Sequence, residues 1–244
     1  MVDHLAAIRR ESERFYAIAN DADPSSGVPS CPGWSIADLV WHLGEVHWFW
    51  TEIIEARAAD PDDVEKRKPS RPTAYNDLLT WAESQADRML DVLSTTADDV
   101  SVWTWALDEA DHSVAFIRRH QVQEVAIHRW DLQNAATSSV PDAVDAESAS
   151  DSIDEMLAVS LPWSVRTDKP ILGTVHLHYT NTEGEWFVHT DGRVEPIHAK
   201  GDVAIRGAAS DLLLALYKRV GLDAVELIGN DALARDLVDR INTD

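Results

Sequence analysis

With 244 residues and 45% hydrophobic side chains, the chain can bury one large or two ordinary cores, and two domains are expected. Its formal charge of -22 comes from both halves, which argues against nucleic-acid or membrane binding, and the only cysteine, Cys31, excludes an internal disulfide. No apolar run approaches the roughly eighteen residues of a membrane span, and the first residues lack the basic start and apolar block of a secretion signal, so a cytoplasmic protein is expected.

Residues 3–20 read as a first helix, closed by Asn20 and a loop rich in Asp, Pro, Ser and Gly that runs to Gly33. A second begins at Ser35, an N-cap with Asp38 three residues on, and carries Ile36, Leu39, Val40, Leu43, Val46 and Phe49 at helical spacing to about Arg57. The segment Lys66 to Pro72 breaks the chain, and a third helix runs from about Tyr75 to Leu93. The fourth extends from about Asp111 to Ala136. Four helices with medium loops predict an antiparallel bundle. A fifth, about Ala143 to Val159, follows Pro141 and is expected to pack on the bundle or bridge the domains, which puts the boundary between 162 and 163.

After Pro170 the pattern changes to period two. Val175, Leu177 and Tyr179 alternate with His176, His178 and Thr180, Asn181 to Gly184 reads as a hairpin turn, and Trp186 to His189 as the return strand. Asp191-Gly192 marks another turn and Asp202 to Arg206 another strand. A helix capped by Ser210 and ended by Gly221 follows, then a last one over Asp231 to Ile241. The fold class is therefore α+β: a helical bundle, 1–162, followed by a small α+β domain, 163–244.

The most informative stretch is His120 to Asp131. At about 100° per residue, Glu124 and His128 stand one turn apart on nearly the same face, and Asp131 returns to that face. A carboxylate and an imidazole so spaced can grip one metal ion, as helix bundles do with residues projecting inward. The neighbouring stripe of Val122, Val125, Ala126 and Leu132 is apolar, so the pair borders a core. His120 is also one turn from Glu124, but about 12 Å along the axis from His128, too far to share one ion with it. A third ligand must come from another helix, and the second offers His42 and His47. These lie about 140° apart, so at most one faces the pair. His42 shares a face with Val46 and Phe49 and is preferred; His47 reads as a packed core histidine, although spacing alone leaves the choice open.

Val28-Pro-Ser-Cys31-Pro32-Gly33-Trp34-Ser35, leading into a helix with His42-Leu43 and followed by Arg118-Arg119 and Glu124-x-x-x-His128-Arg-Trp-Asp131, resembles the mycothiol-dependent maleylpyruvate isomerase family. The C-terminal part, with Gly201-Asp202 and Ala209 to Leu216, resembles it too. The resemblance implies a DinB-like metal-binding bundle and a sterol-carrier-like second domain. It also implies a divalent metal, usually zinc, held by His42, Glu124 and His128, and mycothiol as thiol cosubstrate. Many relatives have a histidine where this chain has Gln123, a position outside that ligand set.

Two histidines and one carboxylate leave positions open on a metal, as catalytic sites do. A metal-activated thiol would add to an activated double bond of a small anionic or electrophilic substrate, giving an isomerase if elimination follows and an S-transferase if it does not. Arg118, Arg119 or Arg206 would clamp a substrate carboxylate through paired hydrogen bonds, unless the arginines near the pair are simply matched by nearby carboxylates. Asp131 would accept a hydrogen bond from a ligand histidine or else sit at the surface. Cys31 reads as a packed loop residue. His176 and His178 share a strand face without an evident third ligand and read as an outward polar face, and the ten tryptophans read as packing residues.

Overall fold

The computed structural model describes residues 2–166 and 170–241 and separates into two compact units, Asp3–Asp142 and a second from Ala143 onward. Among the described residues no helix is long and apolar enough to cross a membrane.

The first unit is built on α1 (His4–Asp21), α2 (Ile36–Ala56), a short α3 (Asp62–Glu65), α4 (Tyr75–Thr95) and α5 (Val114–Ala136). Both α1 and α2 pack against both α4 and α5, which closes the four long helices around one core. Ser35 caps α2 through the expected box, its side chain accepting from the Asp38 N–H while Asp38 accepts from the Ser35 N–H. The fourth long helix starts later than its sequence suggests: Glu109–Asp111 forms a 3-10 turn, and Ser113 is the cap. Gly44 lets α2 and α4 approach closely, since a Cβ there would stand 2.7 Å from the Trp81 ring and 2.8 Å from the Ala82 Cβ. Burial runs almost all the way round α5, which takes Gln121, Gln123, His128, Arg129 and Asp131 inside with its apolar residues. Buried polar groups demand partners, and these are what organise the site.

The second unit contains α6 (Ala146–Ala158), α7 (Ser160–Arg166), β1 (Val175–Tyr179), β2 (Glu185–Val188), β3 (Val194–Glu195), β4 (Val203–Gly207), α8 (Ala209–Leu216), β5 (Glu226–Gly229) and α9 (Asp231–Arg240). The sheet order is β3-β2-β1-β4-β5, with β1 and β4 parallel and the other neighbours antiparallel. Val175, Leu177, Tyr179, Trp186, Val188, Val203 and Ile205 form the buried face. On that side Trp186 donates to Asp154 of α6 at 2.9 Å. The α+β reading holds, with differences of detail. The helix after Pro141 packs on α8, and the second compact unit begins at Ala143, so the expected boundary at 162 lies inside it. Ser210 does not cap its helix: Ala208 does, and the buried Ser210 hydroxyl accepts from the Val144 N–H. That helix ends at Leu216, with Lys218 in a left-handed turn, before Gly221 is reached. The strand β5 carries only Glu226, Leu227, Ile228 and Gly229, largely exposed at a sheet edge, and its weak alternation hides it in the sequence.

Candidate metal centre

Helices α2 and α5 bring His42, Glu124 and His128 together, with one ligand atom of each within 4.8 Å of the others. Both imidazoles point Nε2 at one atom, Glu124 Oε1, at 3.1 Å from His42 and 3.3 Å from His128. The rings meet edge to face, their centroids 4.9 Å apart. Side-chain exposure falls from 33% at His42 through 19% at Glu124 to 9% at His128, so the cluster opens on the His42 side and is closed behind His128.

The closed side is where His128 is fixed. Its Nδ1 lies 3.0 Å from Oδ2 of Asp131, which is fully buried. Asp131 also accepts from the Ser30 hydroxyl at 2.6 Å and lies 3.7 Å from the Cys31 sulfur. A stack of tight turns holds those two residues there: the Trp34 N–H donates to Cys31 O, the Cys31 N–H to Val28 O, and the Val28 N–H to Trp34 O, with Gly33 at φ +87. From the same loop Trp34 tilts against His42 at 4.8 Å between centroids. The sequence assigns Ser30 and Trp34 no role at the metal cluster, because only the folded loop brings them to α5 and α2.

This geometry tests whether the set suits a cation. With the proton of His128 on Nδ1, where Asp131 receives it, Nε2 presents a lone pair to an acceptor oxygen of Glu124. Two acceptors 3.3 Å apart require a proton or a cation between them. Burial alone would lower the His128 pKa, but Glu124 and Asp131 outweigh it and lift it to about 9. Burial likewise opposes ionisation of Glu124, yet His128 and His42 hold it well below the usual carboxylate range. The donor set, two imidazole nitrogens and one carboxylate oxygen with one histidine oriented by a second carboxylate, suits a zinc-like ion.

The other candidates have different fates. His47 is fully buried, and burial drives it down to about 3, with His42 and His128 adding to the effect against Glu124. Neither of its ring nitrogens has a hydrogen-bond partner, and the Gln121 amide is similarly unpaired. His120 turns away into an aromatic nest, its ring 4.4 Å from Trp105 and stacked on Phe116. Arg118 is committed to Asp98 and to the carbonyls of Leu93 and Thr96, and Arg129, fully buried, to Glu11 at 2.8 Å and to the Asp142 carbonyl. For these two the carboxylate-matching alternative prevails. Arg119 is half-buried on α5, and Arg206 lies exposed on β4, 2.8 Å from Glu226. Trp41 stacks on Trp81 and Trp50 on Trp103, the packing role expected of them.

Comparison with known proteins identifies the family and the fold. A family profile described as the mycothiol maleylpyruvate isomerase N-terminal domain matches residues 5–133, and the C-terminal domain profile of the same family matches 143–236. Among solved structures, one titled as the crystal structure of the mycothiol-dependent maleylpyruvate isomerase superposes with a TM-score of 0.59 at 14% identity, covering 92% of this chain and 91% of its own. A histidine-to-alanine mutant of that isomerase gives 0.57 at 13% identity with the same coverage. A sterol carrier protein 2 like 2 from Aedes aegypti covers 39% of this chain and 98% of its own, with a TM-score of 0.30 and 19% identity. No curated protein sequence matches the chain significantly.

Proposed function

The chain belongs to the mycothiol maleylpyruvate isomerase family, and we propose that it is a metal- and mycothiol-dependent enzyme that isomerises an activated cis double bond in a small anionic substrate. The observation that carries the reading is the convergence of His42 Nε2 and His128 Nε2 on Glu124 Oε1, open toward His42. These three residues would hold a divalent cation, with zinc the best match to the donors. When bound, the cation would lower the pKa of an incoming thiol so that it is a thiolate near neutral pH.

The protein's own residues then have separate tasks. Asp131 fixes the His128 ring and keeps its Nε2 lone pair aimed at the cluster, while Ser30 occupies the other Asp131 oxygen. Trp34 packs against the His42 ring. In this reading the incoming sulfur is external, and Cys31, the only protein thiol, is engaged with Asp131 at 3.7 Å. Addition of the thiolate sulfur to one alkene carbon sends the π electrons into the conjugated carbonyl. The bond becomes single and rotates, and expulsion of the thiolate restores the double bond as trans. If the adduct is protonated and released instead, the outcome is an S-transferase. Arg119, half-buried on α5, is the candidate within the bundle to clamp a substrate carboxylate. A cytoplasmic setting, where low-molecular-weight thiols stay reduced, suits this chemistry.

The test is to incubate purified, zinc-loaded protein with mycothiol and maleylpyruvate and to follow trans isomer and thiol by chromatography. Trans product with thiol unconsumed supports the isomerase. Stoichiometric thiol loss identifies the transferase, and no turnover with either metal or thiol overturns the reading.

A further inference from the structure

A second donor cluster, sharing no residue with the one on α2 and α5, stands in the α+β unit. His176 and His178 are two residues apart on β1 and so project from one face. Glu185 of β2 lies directly across from His178 in the antiparallel register, and His198 reaches in from the chain that follows β3. Three imidazole nitrogens gather around a single atom, Glu185 Oε2: His198 Nδ1 at 2.6 Å, His176 Nε2 at 2.9 Å and His178 Nδ1 at 3.6 Å. One ligand atom from each of the four residues lies within 4.8 Å of the others.

Hydrogen bonding to the carboxylate does not account for all of this. His176 and His198 are enough to saturate the two lone pairs of Oε2. His178 Nδ1 is left buried without any hydrogen-bond partner, an unmet donor or acceptor aimed into the cluster. Such a surplus of imidazole around one oxygen is what a coordination sphere needs and what a surface ion pair does not. The donor types discriminate between ions: three imidazoles and one carboxylate suit late first-row divalent metals, whereas magnesium and calcium call for oxygen-rich cages.

We propose that His176, His178, His198 and Glu185 form a second metal site, for a zinc-like late first-row divalent cation, on the outer face of the sheet. Three of its donors stand on paired strands, whose register fixes their spacing before any ion arrives. The fourth, His198, is 75% exposed and gives the entry path. Bound metal would pin the chain after β3 to the sheet.

The experiment is zinc titration of tag-free, metal-stripped full-length protein by calorimetry, with metal content by mass spectrometry. Two equivalents per chain are expected, falling to one in His42→Ala. In that background His198→Ala or Glu185→Gln should weaken the remaining equivalent at least tenfold. His198 is exposed, so its removal leaves the fold intact, and Glu185→Gln keeps the side-chain shape. The proposal fails if His42→Ala binds no zinc, or if both changes leave the remaining affinity unaltered. One equivalent that ignores His42→Ala but is lost in His198→Ala would support this site while overturning the bundle as a metal centre.

Discussion

The two units place imidazoles beside a carboxylate by opposite routes. In the bundle, the partners are 82 residues apart in the chain, and only the packing of α2 against α5 joins His42 to Glu124. In the sheet, His176, His178 and Glu185 are neighbours by strand register, and His198 lies only a short distance further along the chain. Depth differs too: the bundle cluster ends at a His128 side chain 9% exposed, and the sheet cluster at a His198 side chain 75% exposed. Burial strengthens each electrostatic contact, so the bundle can perturb its groups, as the raised His128 shows. The sheet has the geometry for binding with less leverage on reactivity.

The sharpest way to break this contrast is Glu124→Ala. It removes the atom on which both bundle histidines converge and, with it, the only carboxylate of the three-residue donor set. Thiol-dependent turnover should fall to the uncatalysed background, with one equivalent of zinc lost by mass spectrometry. Turnover surviving at wild-type level would make the sheet, or no metal, the seat of activity.

A pH series probes the same depth. In metal-free protein His128 is raised from the ordinary 6.5 to about 9, so at neutral pH zinc must displace its proton. Zinc affinity at the bundle site should therefore rise about tenfold per pH unit up to about pH 9, and loading at pH 7 should release protons measurable from the buffer dependence of the calorimetric heat. The sign for folding is the reverse: a raised pKa stabilises the metal-free fold fully below about 6.5, and that contribution is lost as pH climbs to about 9. Affinity independent of pH over this range would show that His128 is not protonated in the metal-free state.

Asp131→Asn asks how much of the bundle's leverage comes from orientation. Asparagine keeps the shape but no longer matches both the Ser30 hydroxyl and the His128 Nδ1–H as an ionised carboxylate does. Metal affinity should drop by about 10–100-fold while stoichiometry at saturating zinc is retained. An unchanged affinity would reduce Asp131 to a packing residue.

The sequence made different parts of this legible for physical reasons. Helical periodicity and the Ser35 cap located α2, and the one-turn spacing in α5 located Glu124, His128 and Asp131, because these are properties of a single helix. The third ligand required knowing which face of α2 meets α5, and spacing left His42 and His47 unresolved. Whether Arg118 and Arg129 were matched stayed open because Asp98 and Glu11, their actual partners, are remote in sequence. The His176/His178 pair lacked partners until the hairpin register supplied Glu185 and the chain after β3 supplied His198. Resemblance supplied what periodicity lacked in the bundle and contributed nothing for the sheet cluster.

A smaller effect separates the units by stability. Gly44→Ala puts a methyl group where Trp81 and Ala82 already stand at 2.7 and 2.8 Å, forcing α2 from α4. The bundle should lose about 1–3 kcal/mol, the range for overpacking a core, and His42 should shift slightly with its helix. Calorimetric unfolding should show the bundle transition lowered and the α+β transition in place. Equal lowering of both would show that the two units unfold together.

The smallest expected effect concerns His47, the alternative that spacing left open. Its imidazole is uncharged at any working pH, being driven down to about 3, and neither nitrogen is hydrogen-bonded. A buried polar group without a partner destabilises by about 1–3 kcal/mol relative to one that is satisfied, so an apolar ring of similar shape should fit at least as well. His47→Phe is therefore expected to leave stability within about 1 kcal/mol of the wild type or to raise it, and to leave zinc stoichiometry and thiol-dependent turnover unchanged. Loss of the bundle's zinc in this variant, with His42→Ala still fully loaded, would transfer the third ligand from His42 to His47 and require α2 to turn by about 140° relative to α5.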